Sequence, residues 1–258
     1  MADHLLTARG QDPPLEPIGK NWVSRFINTR PELQTKWNRQ LHLQRALCED
    51  LDTIRTWYRR VEETRQEYGI LDDDTYNFDK TGFAIGIAGT SKIVTSSERV
   101  GRAVTIQPGN RERVTTGECI NAYRWAIPPF IIFPGKVHLD VWYRDLPPSW
   151  VLAASENGWT TDVPGTEWLK HFNRYTESRT LGRWRLLILG GHSSHATPEF
   201  DVYCTENKIV VLYMPSHTSH LLQPLDVGCF SPLKAVYRRH IQELARQHVF
   251  HIDKVDFL

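Results

Sequence analysis

The apolar positions of the chain follow three patterns. Over residues 44–67, Leu47, Leu51, Ile54, Tyr58 and Val61 recur at intervals of four and three, the period of an amphipathic helix. In the middle of the chain, short runs rich in β-formers at 75–79, 104–106, 114–120 and 130–133 alternate with turn residues and predict an antiparallel meander. The first of these runs ends at Lys80-Thr81-Gly82. Two later runs, 186–189 and 209–213, are apolar at almost every position. They are too short for helices, and strands of that kind belong to parallel sheets covered on both faces. Gly190-Gly191 stops the first of them.

Shorter signals fill the gaps. Asn21 stands ahead of Trp22 and Phe26, four apart, as the cap of a short helix. Pro31 suits the first position of another helix. Trp168 and Phe172 mark a helix from 166, and further helices are predicted near 197–207 and 231–247. Trp142, Trp150 and Trp159 punctuate a loop-rich aromatic stretch. Strands first, then helices alternating with strands, predict an α/β domain over 71–258: a mixed sheet with helices on both faces. A short helical segment, 1–70, precedes it.

Composition narrows the function classes. The formal net charge of +1 over 258 residues announces no global basic field. The first 70 residues are near neutral too, and they suit a small packing bundle as well as a DNA-binding helix-turn-helix. Cys48, Cys119, Cys204 and Cys229 lie far apart, which argues for reduced thiols inside a cell. No apolar run approaches the roughly 18 residues that span a bilayer, so no membrane partner is expected.

Candidate chemistry gathers at three points, Asp79, Gly190 and Asp226, all at predicted strand ends. In open α/β sheets ligands sit beyond the carboxyl ends of strands. Two divalent cations about 4 Å apart repel by roughly 16 kcal/mol at an effective dielectric near 20. Carboxylates converging from distant parts of a chain offset that repulsion. Taken singly, each aspartate reads more readily as a turn residue or a helix cap. His192, His195, His217 and His220 form two pairs at i, i+3, a spacing that zinc also uses.

Three blocks in order resemble the pogo-like DDE transposases. Asn77-Phe78-Asp79-Lys80-Thr81-Gly82-Phe83 resembles their first catalytic block, and Leu186 to His195 the second. The third is matched by Met214 to Leu221 together with Gln223-Pro224-Leu225-Asp226-Val227-Gly228-Cys229-Phe230. Ile18 to Val23 and Arg30-Pro31-Glu32-Leu33 resemble the end of a centromere-protein-B-type helix-turn-helix domain, whose front would precede this chain.

The resemblance implies an RNase H-like fold, Mg²⁺ or Mn²⁺ as cofactor, and cutting and joining of transposon-end DNA. Asp79 matches the first family acid and Asp226 the third, as catalytic and metal-binding residues. Gly190 occupies the place of the second, and Lys80 a place where Glu is common. The expectation is therefore a nuclear DNA-binding protein with a degenerate endonuclease site, not an active enzyme. The rival readings are an active transposase and a functionless relic. Expected phosphate contacts are Lys20, Arg25, Arg30, Lys234, Arg238 and Arg239. The expected partners are DNA and, in a homodimer, a second copy of the chain.

Overall fold

The computed structural model describes residues 21–35, 50–87, 112–135, 139–144, 146–155, 165–191, 197–249 and 251–258. The chain divides into two compact units, Met1–His42 and Leu43–Leu258. In the first unit, helix α1 (Trp22–Asn28) stacks the rings of Trp22 and Phe26 at 4.8 Å. The Asn21 side chain makes no capping bond. Pro31 opens a turn and not a helix: Leu33 N–H donates to the Arg30 carbonyl at 3.0 Å, and residues 33–35 are not helical. Leu47 and the 104–106 run lie outside the described residues.

The second unit opens with α2 (Leu51–Tyr68), capped by Asp50, whose carboxylate accepts from the Asp52 and Thr53 N–H groups. Its inward stripe is Ile54, Trp57, Val61 and Tyr68. Tyr58 was expected on that stripe but is 59% exposed. The adjacent indole of Trp57 also fits the three-four spacing, and it takes the core position.

Among the described residues six strands form one sheet: β1 (Thr75–Ala84), β2 (Arg113–Asn121), β3 (Phe130–Pro134), β4 (Val151–Ser155), β5 (Arg185–Leu189) and β6 (Ile209–Tyr213). Their spatial order is β4-β3-β2-β1-β5-β6. The first three make the predicted antiparallel meander, and the remaining pairs, β3 with β4, β1 with β5 and β5 with β6, are parallel. β4 falls where only loop was expected. It is an edge strand whose apolar run is short and crowded by tryptophans and prolines. β1 continues past its expected end because Lys80, Thr81 and Gly82 keep pairing with β2, as far as Ala84 opposite Arg113. Asp79 therefore sits in mid-strand and not at a strand end.

Alternation along the strands divides the core. Tyr76, Phe78, Leu187 and Leu189 face α3 (Gly165–Thr176) and α4 (Pro198–Glu206), packing on Trp168, Phe172 and Phe200. On the other face Leu186 and Leu212 meet Trp57 of α2. There too Ile131 and Phe133 meet Ile241. Between β6 and that last contact the chain forms α5 (Ser219–Leu222), then α6 (Phe230–Arg246), and it ends in α7 (Lys254–Phe257). Each large side chain buried in this way contributes about 1.5–3 kcal/mol. The fold is the expected mixed sheet with helices on both faces. Among the described residues, no helix is long and apolar enough to cross a membrane.

The two glycines after β5 differ. A Cβ at Gly191 would stand 2.5 Å from the Met214 carbonyl, whereas one at Gly190 would meet none of the described residues within 4 Å. Gly191 lets the chain after β5 pass close to the chain after β6; Gly190 has no such duty. Gly191→Ala should cost about 1–3 kcal/mol in urea unfolding, an overpacking penalty. Gly190→Ala should stay within about 0.5 kcal/mol of the parent or be slightly stabilising.

Candidate catalytic centre

The centre is built on the sheet face that carries α2 and α6. Tyr76 and Phe78 point into the opposite core, so Asn77 and Asp79 share this face. Gly190 lies immediately beyond the carboxyl end of β5, whose Ile188 is paired with Asn77 in the register. Asp226 does not follow a strand. It stands in a single π-helical turn, Leu225–Cys229, that runs straight into α6. Such turns are rare and are frequent at functional sites.

A buried amide network joins these pieces. Gln223 is fully buried. Its side-chain Nε2 donates to the Phe78 carbonyl at 3.1 Å, and its Oε1 accepts from Asn77 Nδ2 at 2.6 Å. Asn77 Nδ2 also lies 3.3 Å from the Ile188 carbonyl. Gln223 further hydrogen-bonds the Asp79 carboxylate. One side chain thus holds the turn bearing Asp226 against the strand bearing Asp79, and Asn77 extends the tie to β5.

The electrostatics follow from that arrangement. Burial pushes the Asp79 carboxyl up to about 6. The Asp226 charge pushes the same way, while the Lys80 N–H, Gln223 and the Lys80 charge oppose. The Lys80 side chain leaves the strand on the face opposite Asp79, and its charge is the smallest of these influences. Burial also lowers the Lys80 pKa. Glu118, which the sequence reading passed over, pairs with Asp79 across β1 and β2 and shares its face. Burial pushes its carboxyl up to about 7. The signal for Glu118 is the register of the meander, which strand patterns alone leave open.

Mg²⁺ commonly takes one or two protein carboxylates, with water and substrate phosphates completing its shell. Asp79 and Asp226, whose charges already oppose one another, fit one such ion. A two-ion clamp needs more, and no group of three or more His, Cys, Asp or Glu suited to a metal exists among the described residues. His192 and His195 lie outside those residues. His217 is exposed with a φ of 64°, and its carbonyl lies 3.1 Å from His220 Nδ1.

The candidate phosphate contacts are scattered. Lys20 lies outside the described residues. Arg25 and Arg30 belong to the first unit, where the Arg30 guanidinium covers the Phe26 ring at 4.2 Å. Lys234, Arg238 and Arg239 lie together on α6.

A carboxyl whose folded pKa exceeds its unfolded value favours folding as the neutral acid. For Asp79 that stability is present below about pH 4 and is lost as the pH rises through about 6. Asp79→Asn should therefore be more stable than the native chain at about pH 8, by on the order of 2 kcal/mol, with the gain vanishing near pH 4. Urea unfolding across that range checks both the size and the direction.

Comparison with known proteins agrees with this geometry. The sequence model of the DDE superfamily endonuclease matches residues 110–255, from just before β2 into α7. The chain is 51% identical over 205 residues to a protein of Cochliobolus lunatus named MFS-type transporter clz9, covering 79% of this chain and 22% of that one. It is 46% identical over 87 residues to Chaetoglobosin A biosynthesis cluster protein C of Chaetomium globosum, covering 34% and 20%. The chain thus spans about a fifth of the length of the curated relatives it matches. Among solved structures, the Mos1 transposase paired-end complex with left transposon end superposes with a TM-score of 0.56 at 10% identity, covering 99% of this chain and 73% of that one. The mariner Mos1 paired-end complexes crystallised with Mg and with Mn superpose with TM-scores of 0.55 and 0.54, each at 10% identity and with the same coverage. The fold is therefore the RNase H-like fold of those transposases, and with more than half its length matched, the chain belongs to the DDE superfamily of endonucleases.

Proposed function

We propose that this chain is a transposase-derived DNA-binding domain whose endonuclease centre holds two of its three acids and does not cut DNA at an appreciable rate. The observation that carries the reading is Gly190. It stands at the end of β5 beside the Asp79 strand, has no steric reason to be glycine, and supplies no carboxylate. Disturbing even a partner that orients a metal ligand typically costs about 10–100-fold, and loss of a ligating acid costs more.

The related folds support DNA as the partner, since the Mos1 structures are complexes with transposon ends. They support Mg²⁺ or Mn²⁺ as the cation. In this chain Asp79 and Asp226 would hold one ion, which would position a DNA phosphate. Gln223 and Asn77 keep the two carboxylates in place. Nuclear location and homodimer formation accompany the reading. So does a helix-turn-helix role for the first unit, with Lys20, Arg25 and Arg30 on phosphates. Lys234, Arg238 and Arg239 would serve the second unit in the same way.

Binding should be weak and salt-sensitive, with log affinity falling linearly against log salt as phosphate counterions are released. Indifference to salt in a fluorescence-anisotropy titration would count against phosphate contacts. Nicking of supercoiled plasmid in Mg²⁺ or Mn²⁺ tests the catalytic half. The native chain should leave the plasmid intact and Gly190→Asp should gain metal-dependent nicking, because no described residue lies within 4 Å of a side chain's first carbon there. Metal-dependent nicking by the native chain, abolished in Asp79→Ala, would overturn the proposal.

A further inference from the structure

Glu118 is a half-buried carboxyl that the centre described above leaves unused. It stands directly opposite Asp79 in the β1–β2 register and on the same sheet face. Among the described residues no cation pairs with it. Burial pushes its carboxyl up, and only the Thr116 hydroxyl, two residues back on the same face, favours the carboxylate. The side chain therefore lies along its own strand toward Thr116, and not across toward Asp79. In that position the Asp79, Glu118 and Asp226 carboxylates form no ready cluster.

Two buried polar atoms flank the pair on that face, Asn77 beside Asp79 on β1 and Thr116 beside Glu118 on β2. Thr116 is 5% exposed, and its Oγ1 has no partner at hydrogen-bonding geometry among the described residues. Asn77 is 6% exposed, and its Oδ1 is in the same condition. Turning the Asn77 amide over gives no relief. Its Nδ2 faces two acceptors, the Ile188 carbonyl and Gln223 Oε1, and Gln223 is itself fixed by the Phe78 carbonyl and the Asp79 carboxylate. Buried acceptors without donors are costly. A hydrated cation supplies both missing partners: positive charge for the carboxylates and water O–H groups for the two acceptors. Mg²⁺ in particular keeps several of its waters when a protein binds it.

Directly opposed residues of an antiparallel pair have Cβ atoms about 4.5–5.5 Å apart, so one ion lies within reach of both side chains. Glu118 needs only rotation about its own side-chain bonds. We infer that Glu118 turns from Thr116 to a bound divalent cation and becomes its third protein carboxylate, beside Asp79 and Asp226. The inference rests on the cation reading proposed above and adds a ligand to it. It does not restore a two-ion clamp. In the order β2-β1-β5, Glu118 and Gly190 lie on opposite sides of Asp79, so Glu118 leaves the place beside Gly190 without an acid.

The test is Mn²⁺ binding to the full chain in mildly alkaline buffer, followed by the EPR signal of free Mn²⁺. Glu118→Gln should weaken binding about tenfold or more, since disturbing even a residue behind a metal ligand has that effect. Glu206→Gln makes the same change in charge at an exposed position of α4 and should bind as the native chain does. Asp79→Asn should abolish binding. In a Mn²⁺-soaked crystal of the native chain, a readout that needs no variant to fold, a Glu118 carboxylate oxygen should lie within about 2.5 Å of the ion. Binding that is unchanged in Glu118→Gln but lost in Asp79→Asn overturns the role of Glu118 and leaves the cation reading standing. So does an equal loss in Glu206→Gln, or an ion on Asp79 with Glu118 still against Thr116. A native chain that binds no Mn²⁺ overturns both.

Discussion

The fully buried side chain of Gln223 is the tie on which the centre depends. A primary amide taken from water without partners is costly, about 1–3 kcal/mol for each unsatisfied group. Gln223 avoids that cost only in one arrangement, with the Phe78 carbonyl, the Asn77 amide and the Asp79 carboxylate all in reach. The arrangement fixes β1 against the segment after β6. The π-helical turn that follows then brings Asp226 toward Asp79, although 146 residues separate Asn77 from Gln223. Two carboxylates that repel are held together by neutral hydrogen bonds on one sheet face.

That placement has a thermodynamic cost in the metal-free chain. Burial and mutual repulsion hold Asp79 near 6, where it is partly protonated around neutrality. Carboxylates raised in this way mark sites arranged for a task and not for stability. A bound cation would supply the missing favourable interaction. The frame does not demand glycine at 190: an added Cβ there would meet no described residue within 4 Å, while its neighbour Gly191 is held to a close approach with Met214.

Much of this was legible in the sequence, and the failures have physical causes. The all-apolar runs that became β5 and β6 were clear, because a strand buried on both faces leaves no polar position to blur the pattern. The meander was legible through its β-forming runs set between turn residues. β4 was hidden because an edge strand of five residues, set among tryptophans and prolines, carries too little periodicity. Tyr58 and Trp57 both fit the helical period, and only the packed core decides between them. Asp79 and Asp226 stand out through the motifs that hold them, and the fold brings them near enough for the Asp226 charge to act on Asp79. Gln223 and Glu118 were given no role, because their parts depend on register and burial that a linear pattern does not contain.

The proposed centre is a single-cation site, with no acid at Gly190 for a second ion. Anomalous diffraction from crystals soaked in Mn²⁺ shows the ions directly. One Mn²⁺ is expected between Asp79 and Asp226 in the native chain, and a second beside it in Gly190→Asp. A pair of ions in the native chain, or Mn²⁺ held elsewhere with none at these two carboxylates, would contradict it.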